Sequence, residues 1–212
     1  MLTYNGTAIE HVNFNGTAIE SGTFNGVTIF EEGQENTVVL RTQKQRIKLT
    51  VKTKKGSDVE VWNAGEKVAV LKSDKEGEVL LKDTGKNVTI KGRDINTLSC
   101  NYNQLTSLNV QGLSTLQFLD CTRNQLTSLN LQGCTALQQL DCRDNLFTAD
   151  VFKDIFINIA KTNKSGHALL YCNNDYNYKD FTQPSELASA FNAAKANGWK
   201  FYKNSYDDSD LL

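Results

Sequence analysis

One interval governs this sequence. Cys100, Cys121 and Cys142 stand 21 residues apart, and their surroundings repeat with them. Ile95-x-x-Leu98-x-Cys100-x-x-Asn103-x-Leu105 is followed by Leu116-x-x-Leu119-x-Cys121-x-x-Asn124-x-Leu126, and then by Leu137-x-x-Leu140-x-Cys142-x-x-Asn145-x-Phe147. Leu108-x-Val110-x-Gly112 and Leu129-x-Leu131-x-Gly133 run between them. Self-similarity at a fixed period marks a repeat architecture. Leu and Cys two apart point to the same side of a strand. One short strand buries too little to be stable alone, so stacked copies must share one core. The Asn falls where the chain turns, and its amide can bond backbone groups that would otherwise go unpaired.

The pattern continues in longer units. Leu170 and Cys172 stand 30 residues beyond Leu140 and Cys142, Asp175 stands 30 beyond Asn145, and Trp199, Phe201 and Asn204 follow 29 further on. The expectation is that Leu98, Leu119, Leu140, Leu170 and Trp199 are equivalent rungs of one stack. The extra length reads as helix. Val151, Phe152, Ile155, Phe156 and Ile159 form an apolar stripe over 149–162, with Thr148 able to cap it. Leu187, Phe191 and Ala194 do the same over 185–196, between Pro184 and Asn197-Gly198.

Residues 95–147 resemble the short, cysteine-containing leucine-rich repeats of bacterial proteins. That resemblance implies a protein-interaction scaffold without catalysis. The expected fold is α/β: a short leucine-rich-repeat solenoid of parallel strands with a helical C-terminal cap, preceded by an all-β cap domain and an N-terminal β-hairpin ribbon. The expected divisions are 1–34, 35–92, 93–147, 148–204 and an acidic tail, 205–212, that frays.

The all-β expectation rests on short β-branched runs, Val38–Leu40, Ile47–Val51, Val59–Trp62, Val68–Leu71, Val79–Leu81 and Val88–Ile90, parted by Gly- and Asn-containing turns. The module resembles the β-rich caps that precede some bacterial repeats of this type. Its second reading is a separate carbohydrate- or protein-binding sandwich. Ahead of it, Tyr4-Asn5-Gly6, Phe14-Asn15-Gly16 and Phe24-Asn25-Gly26 repeat at a period of 10. Asn-Gly between alternating residues signals a tight hairpin, in which Phe14 faces Thr17 and Val12 faces Ile19. These units resemble short modules appended to tail-associated proteins of phages and prophages, which implies possible self-association through residues 1–34.

Composition removes several classes of function. The 212 residues carry 23 Lys+Arg and 24 Asp+Glu, a net charge of −1, which gives no sequence-wide case for nucleic acid or an anionic membrane. No apolar run approaches the ~18 residues of a membrane helix, and residues 1–6 show no leader pattern. Five Cys without a Cys-x2-Cys pair argue against a zinc site or a disulfide framework. The Cys read as small core residues, Cys134 among them. His11 and His167 lack triad-type or metal-type neighbours, and adjacent acids such as Glu31-Glu32 make no general acid–base pair. The expectation is therefore a non-enzyme without cofactor or metal.

Strand alternation places a binding face on the concave sheet, formed by Phe118, Asp120, Gln139, Asp141, Arg143, Tyr171, Asn173, Lys200 and Tyr202. Phe118, Tyr171 and Tyr202 are its expected exposed aromatics, and Arg143 and Lys200 its charge. The function expected is recognition of a protein or glycan. The alternative is a structural or host-attachment component of a phage particle. Under either reading synthesis in the cytoplasm is expected, and the final compartment, cell surface or virion, stays open.

Overall fold

A computed structural model describes residues 33–162 and 165–212 with their side chains, and the backbone of 3–4, 7–8, 13–14, 17–18, 21–24 and 27–31. The chain divides into two compact units, Met1–Gln34 and Glu35–Leu212.

The first unit holds three antiparallel pairs: β1 (Thr3–Tyr4) with β2 (Thr7–Ala8), β3 (Asn13–Phe14) with β4 (Thr17–Ala18), and β5 (Ser21–Phe24) with β6 (Val27–Glu31). Tyr4 faces Thr7, Phe14 faces Thr17 and Phe24 faces Val27. This is the register that a two-residue Asn-Gly turn imposes. The pairing of Val12 with Ile19 lies outside the described residues.

The second unit contains β7 (Glu35–Thr42), β8 (Arg46–Thr53), β9 (Val59–Asn63), β10 (Glu66–Leu71), β11 (Lys75–Leu80), β12 (Val88–Arg93), β13 (Ile95–Ser99), β14 (Leu105–Asn109), β15 (Phe118–Asp120) and β16 (Gln139–Asp141). Then come helix α1 (Ala149–Ile159), β17 (His167–Tyr171), helix α2 (Ser185–Ala196) and β18 (Lys200–Lys203). Two sheets result. One is antiparallel, in the order β10-β9-β12-β7-β14, and the other is mixed, in the order β11-β8-β13-β15-β16-β17-β18.

This arrangement overturns the expected solenoid with separate caps. β13 pairs parallel to β15 on one side and antiparallel to β8 on the other. The repeat strands are therefore one flank of a sheet that begins in the segment expected to be a separate all-β cap. Leu105–Asn109, expected between rungs, pairs antiparallel with β7 in the opposite sheet. The corresponding stretch of the next unit contributes a single bridge, Asn109 to Asn130. Two helices are present among the described residues, and neither is long and apolar enough to cross a membrane. The physical reason lies at Ile95–Ser99, whose two edges are both free to bond. β8 has the alternation to satisfy one of them, with Ile47, Leu49 and Val51 inward.

The core runs without interruption from Val38 and Leu40 through Leu98, Leu119 and Leu140 to Phe156 and Phe201. Its rungs differ from expectation after the third. Leu98, Leu119 and Leu140 are aligned, but the next partners are Ala168 and Phe201, so Leu170 and Trp199 are each two residues out of place. Trp199 is nonetheless buried, with its Nε1 donating to Thr162 Oγ1 at 3.1 Å. Phe156 lies within 5.0–5.4 Å of the rings of Phe181, Phe191 and Phe201, and this cluster ties α1 and α2 to the last strand. Thr148 occupies the N-cap of α1 without a side-chain bond. The tail is ordered: Asp208–Asp210 form a short 3-10 turn, and Leu211 pairs with Tyr202.

Candidate functional site

The face of the mixed sheet turned away from the core presents side chains in register. One row runs Lys52, Thr97, Phe118, Gln139, His167, Lys200. The next runs Glu76, Thr50, Ser99, Asp120, Asp141, Leu169, Tyr202. Period-two alternation sends these outward while Leu98, Leu119 and Leu140 point in.

Past each rung the chain turns through a left-handed residue: Tyr102 at φ 56°, Arg123 at φ 53° and Asp144 at φ 53°. An Asn holds each turn. Asn124 Nδ2 donates to the carbonyls of Cys100 (3.1 Å), Cys121 (2.9 Å) and Thr122 (3.2 Å), and its Oδ1 accepts from the amides of Asn103 and Leu105. Asn145 repeats this one unit on. At the fourth unit the same place belongs to Asn177, which donates to the carbonyls of Cys142 and Leu170 and accepts from the amide of Phe147. The sequence reading placed Asp175 there. Asp175 instead accepts the amides of Asp144, Cys172 and Asn177, with the Lys179 ammonium at 3.2 Å. Asp144, Cys172 and Asp175 converge to within 4.8 Å, but those amides and that ammonium engage the Asp175 carboxylate, so its work here is closing a turn.

The left-handed residues form a rail beside the sheet. The Arg123 guanidinium lies 4.5 Å over the Tyr102 ring, and its Nε is 3.3 Å from Asp144 Oδ2. Inside the rail sit two recessed carboxylates. Asp120 accepts from Ser99 Oγ, Asn101 Nδ2, and the amide and hydroxyl of Thr122. Asp141 is gripped by Arg143, Nε at 2.9 Å and Nη2 at 2.6 Å. Burial pushes the Asp141 carboxyl up, and Arg143 pulls against it. Arg143 Nη1 also donates to the Asn204 carbonyl.

The expected binding residues do not share one environment. Phe118, Asp120, Gln139, Asp141, Arg143 and Lys200 share one face, with Gln139 and Lys200 exposed and the rest half-buried. Asn173 is exposed in the turn after β17. Tyr171 and Tyr202 are corrections, since both are buried. A register shift between Leu169 and Tyr171 rotates Tyr171 toward Phe181 in the core, as bulges re-aim side chains. Tyr202 is covered by Tyr206, whose ring lies 5.5 Å away and also meets His167. Among the described residues the exposed tyrosines are instead Tyr102 at 53%, Tyr176 at 86% and Tyr206 at 47%, and Tyr102 is the one that a repeat turn carries. Its signal was available: Tyr102, Arg123 and Asp144 each stand two residues past a repeat Cys.

Tyr102 separates two hollows. One, of about 240 Å³, is lined by Asp120, Thr122, Arg123, Asp141, Arg143 and Asp144. The other, of about 550 Å³, is lined by Lys44, Arg46, Lys48, Glu76, Glu78 and Tyr102. All five Cys are free thiols, and four are buried. Burial raises Cys134 to about 11 and lifts Cys121 and Cys142 well above the ordinary thiol range. Their sulfurs donate to backbone carbonyls, as Cys121 does to Asp141 at 3.6 Å. The four buried thiols pack the core, and their raised pKa leaves little thiolate.

No family model, curated protein or solved structure matches this chain.

Proposed function

We propose that this protein is a noncatalytic binding module whose protein or glycan ligand rests on the outward face of the mixed sheet. One observation carries the reading. Six strands supply side chains in a single register, Lys52, Thr97, Phe118, Gln139, His167 and Lys200, beside carboxylates already oriented by their neighbours. Groups held in place before binding lose less freedom on binding. The carboxylates Asp120 and Asp141 are engaged by Thr122, Ser99, Asn101 and Arg143, which suits recognition better than proton transfer. The sequence resemblance to repeat proteins that hold partners points the same way.

The test is capture of partners from cell lysate and on a glycan array, followed by titration of the captured ligand. Phe118→Ala and Gln139→Ala should each weaken binding at least fivefold with Tm unchanged. Unchanged affinity in both variants would contradict the reading.

A second reading concerns residues 1–34. Their three antiparallel pairings at a period of 10 fall in a compact unit of their own, which suits an attachment element of a larger particle such as a phage tail. The oligomeric state of the chain with and without 1–34 tests it. Assembly that survives the deletion counts against it.

A further inference from the structure

The larger hollow beside Tyr102 narrows the ligand class. It lies between the turn that carries Tyr102 and strands β8 and β11, because Lys48 and Arg46 come from β8 and Glu76 and Glu78 from β11. Arg123 covers the Tyr102 ring from the β15 side. Tyr102 remains 53% exposed beside Arg123 and gives this hollow of about 550 Å³ its aromatic wall.

Beyond Tyr102 the lining is Asn101, Asn103 and five charged groups that are nearly balanced. Arg46 pairs with Glu78 at 2.7 Å, Lys48 with Glu76 at 3.2 Å, and Lys44 Nζ donates to the Tyr102 carbonyl at 2.7 Å. An anion entering would sit beside two carboxylates. A cation would sit beside two ammonium groups and a guanidinium. An apolar ligand would strip water from all five. A polyhydroxylated ring avoids each penalty. Its hydroxyls both donate and accept, so they can bond ammonium and carboxylate alike. Its C–H face can lie on the exposed tyrosine, which offers an apolar body with a polar tip. Tyr102 is already held: its backbone is left-handed, its amide donates to the Thr122 carbonyl, its carbonyl accepts from Lys44, and Arg123 lies over its ring.

We propose that this hollow is a saccharide subsite in which one pyranose ring stacks on Tyr102 and hydrogen-bonds the Lys48–Glu76 and Arg46–Glu78 pairs. The proposal rests on the reading of this face as a binding surface, and it gives that ligand a chemical class.

The experiment is saturation-transfer-difference NMR on the full chain with methyl glycosides of glucose, galactose, mannose and N-acetylglucosamine and their trisaccharides. At least one should receive saturation, strongest at its C–H protons. Tyr102→Asn keeps a residue that tolerates positive φ and removes the ring, so it should weaken that ligand at least tenfold. Tyr102→Phe should stay within threefold of the parent. No transfer to any of these saccharides would overturn the proposal, as would equal affinity in Tyr102→Asn. Failure of the two ideas is distinguishable. A captured protein partner lost in Phe118→Ala, together with silent saccharides, would leave the face standing and remove the saccharide.

Discussion

At the residue scale, asparagine sets the geometry of the site. Asn124 is 8% exposed and joins three carbonyls and two amides across neighbouring units. Asn124→Ala would leave those buried groups unpaired, at about 3–5 kcal/mol, enough to remove much of the stability of a small protein. Urea unfolding checks this. A loss below about 1 kcal/mol would show that water takes over the amide's role. Glycine matters where two turns stack. Gly133 has φ 82°, and a Cβ there would come within 2.9 Å of Gly112 Cα, whereas Gly56 at φ 74° has nothing within 4 Å. Both Gly→Ala changes carry the left-handed penalty of ~1–2 kcal/mol. Gly133→Ala should exceed Gly56→Ala by at least 1 kcal/mol in the same urea assay, and equality would mean that the Gly112 backbone yields freely. The thiols report burial directly. With Cys100, Cys121, Cys134 and Cys142 buried and Cys172 half-buried, a thiol reagent at pH 8 should titrate one group in the folded chain and five after denaturation.

At the element scale, the aromatic cluster decides how the last strands are held. Phe156 touches Phe152, Phe181, Phe191 and Phe201 and is fully buried. Phe156→Ala should cost about 3–5 kcal/mol and loosen β17 and β18, which amide exchange at Ala168 and Phe201 would show. Both helices were legible because their apolar stripes are long and their stops plain. The rung residues Leu98, Leu119 and Leu140 were legible for a similar reason, since three copies at one spacing fix a register. The fourth and fifth rungs were not. Intervals of 30 and 29 pointed to Leu170 and Trp199, whereas the fourth rung, Ala168, stands nine residues before Asn177 where Leu140 stands five before Asn145, and no spacing rule records the bulge and the longer turn that take up the difference. The same bulge hid Tyr171 in the core. Tyr202 was hidden by Tyr206, a contact between chain segments that strand alternation does not register.

At the scale of the whole molecule, the repeat pattern misled about architecture. Repetition in 95–147 suggested a self-contained stack, because sequence shows which faces are apolar but not which strand edge finds which partner. β8 reaches β13, Leu105–Asn109 reaches β7, and the second unit acquires two sheets over one core. One core implies one unfolding event. Trp62 lies in the antiparallel sheet, and Trp199 lies at the far end of the mixed one. Urea transitions of the Trp62→Phe and Trp199→Phe variants, each followed by its remaining tryptophan and corrected for any shift in overall stability, should therefore share one midpoint. Two separated midpoints would restore independent domains. The most direct test of the binding account is an amide chemical-shift titration of the full chain with the tightest ligand from the array. The account predicts shifts at Ser99, Tyr102, Phe118, Asp120, Gln139 and Asp141. Shifts confined to Trp62, Thr89 and Lys91 in the other sheet, with those six unmoved, would contradict it.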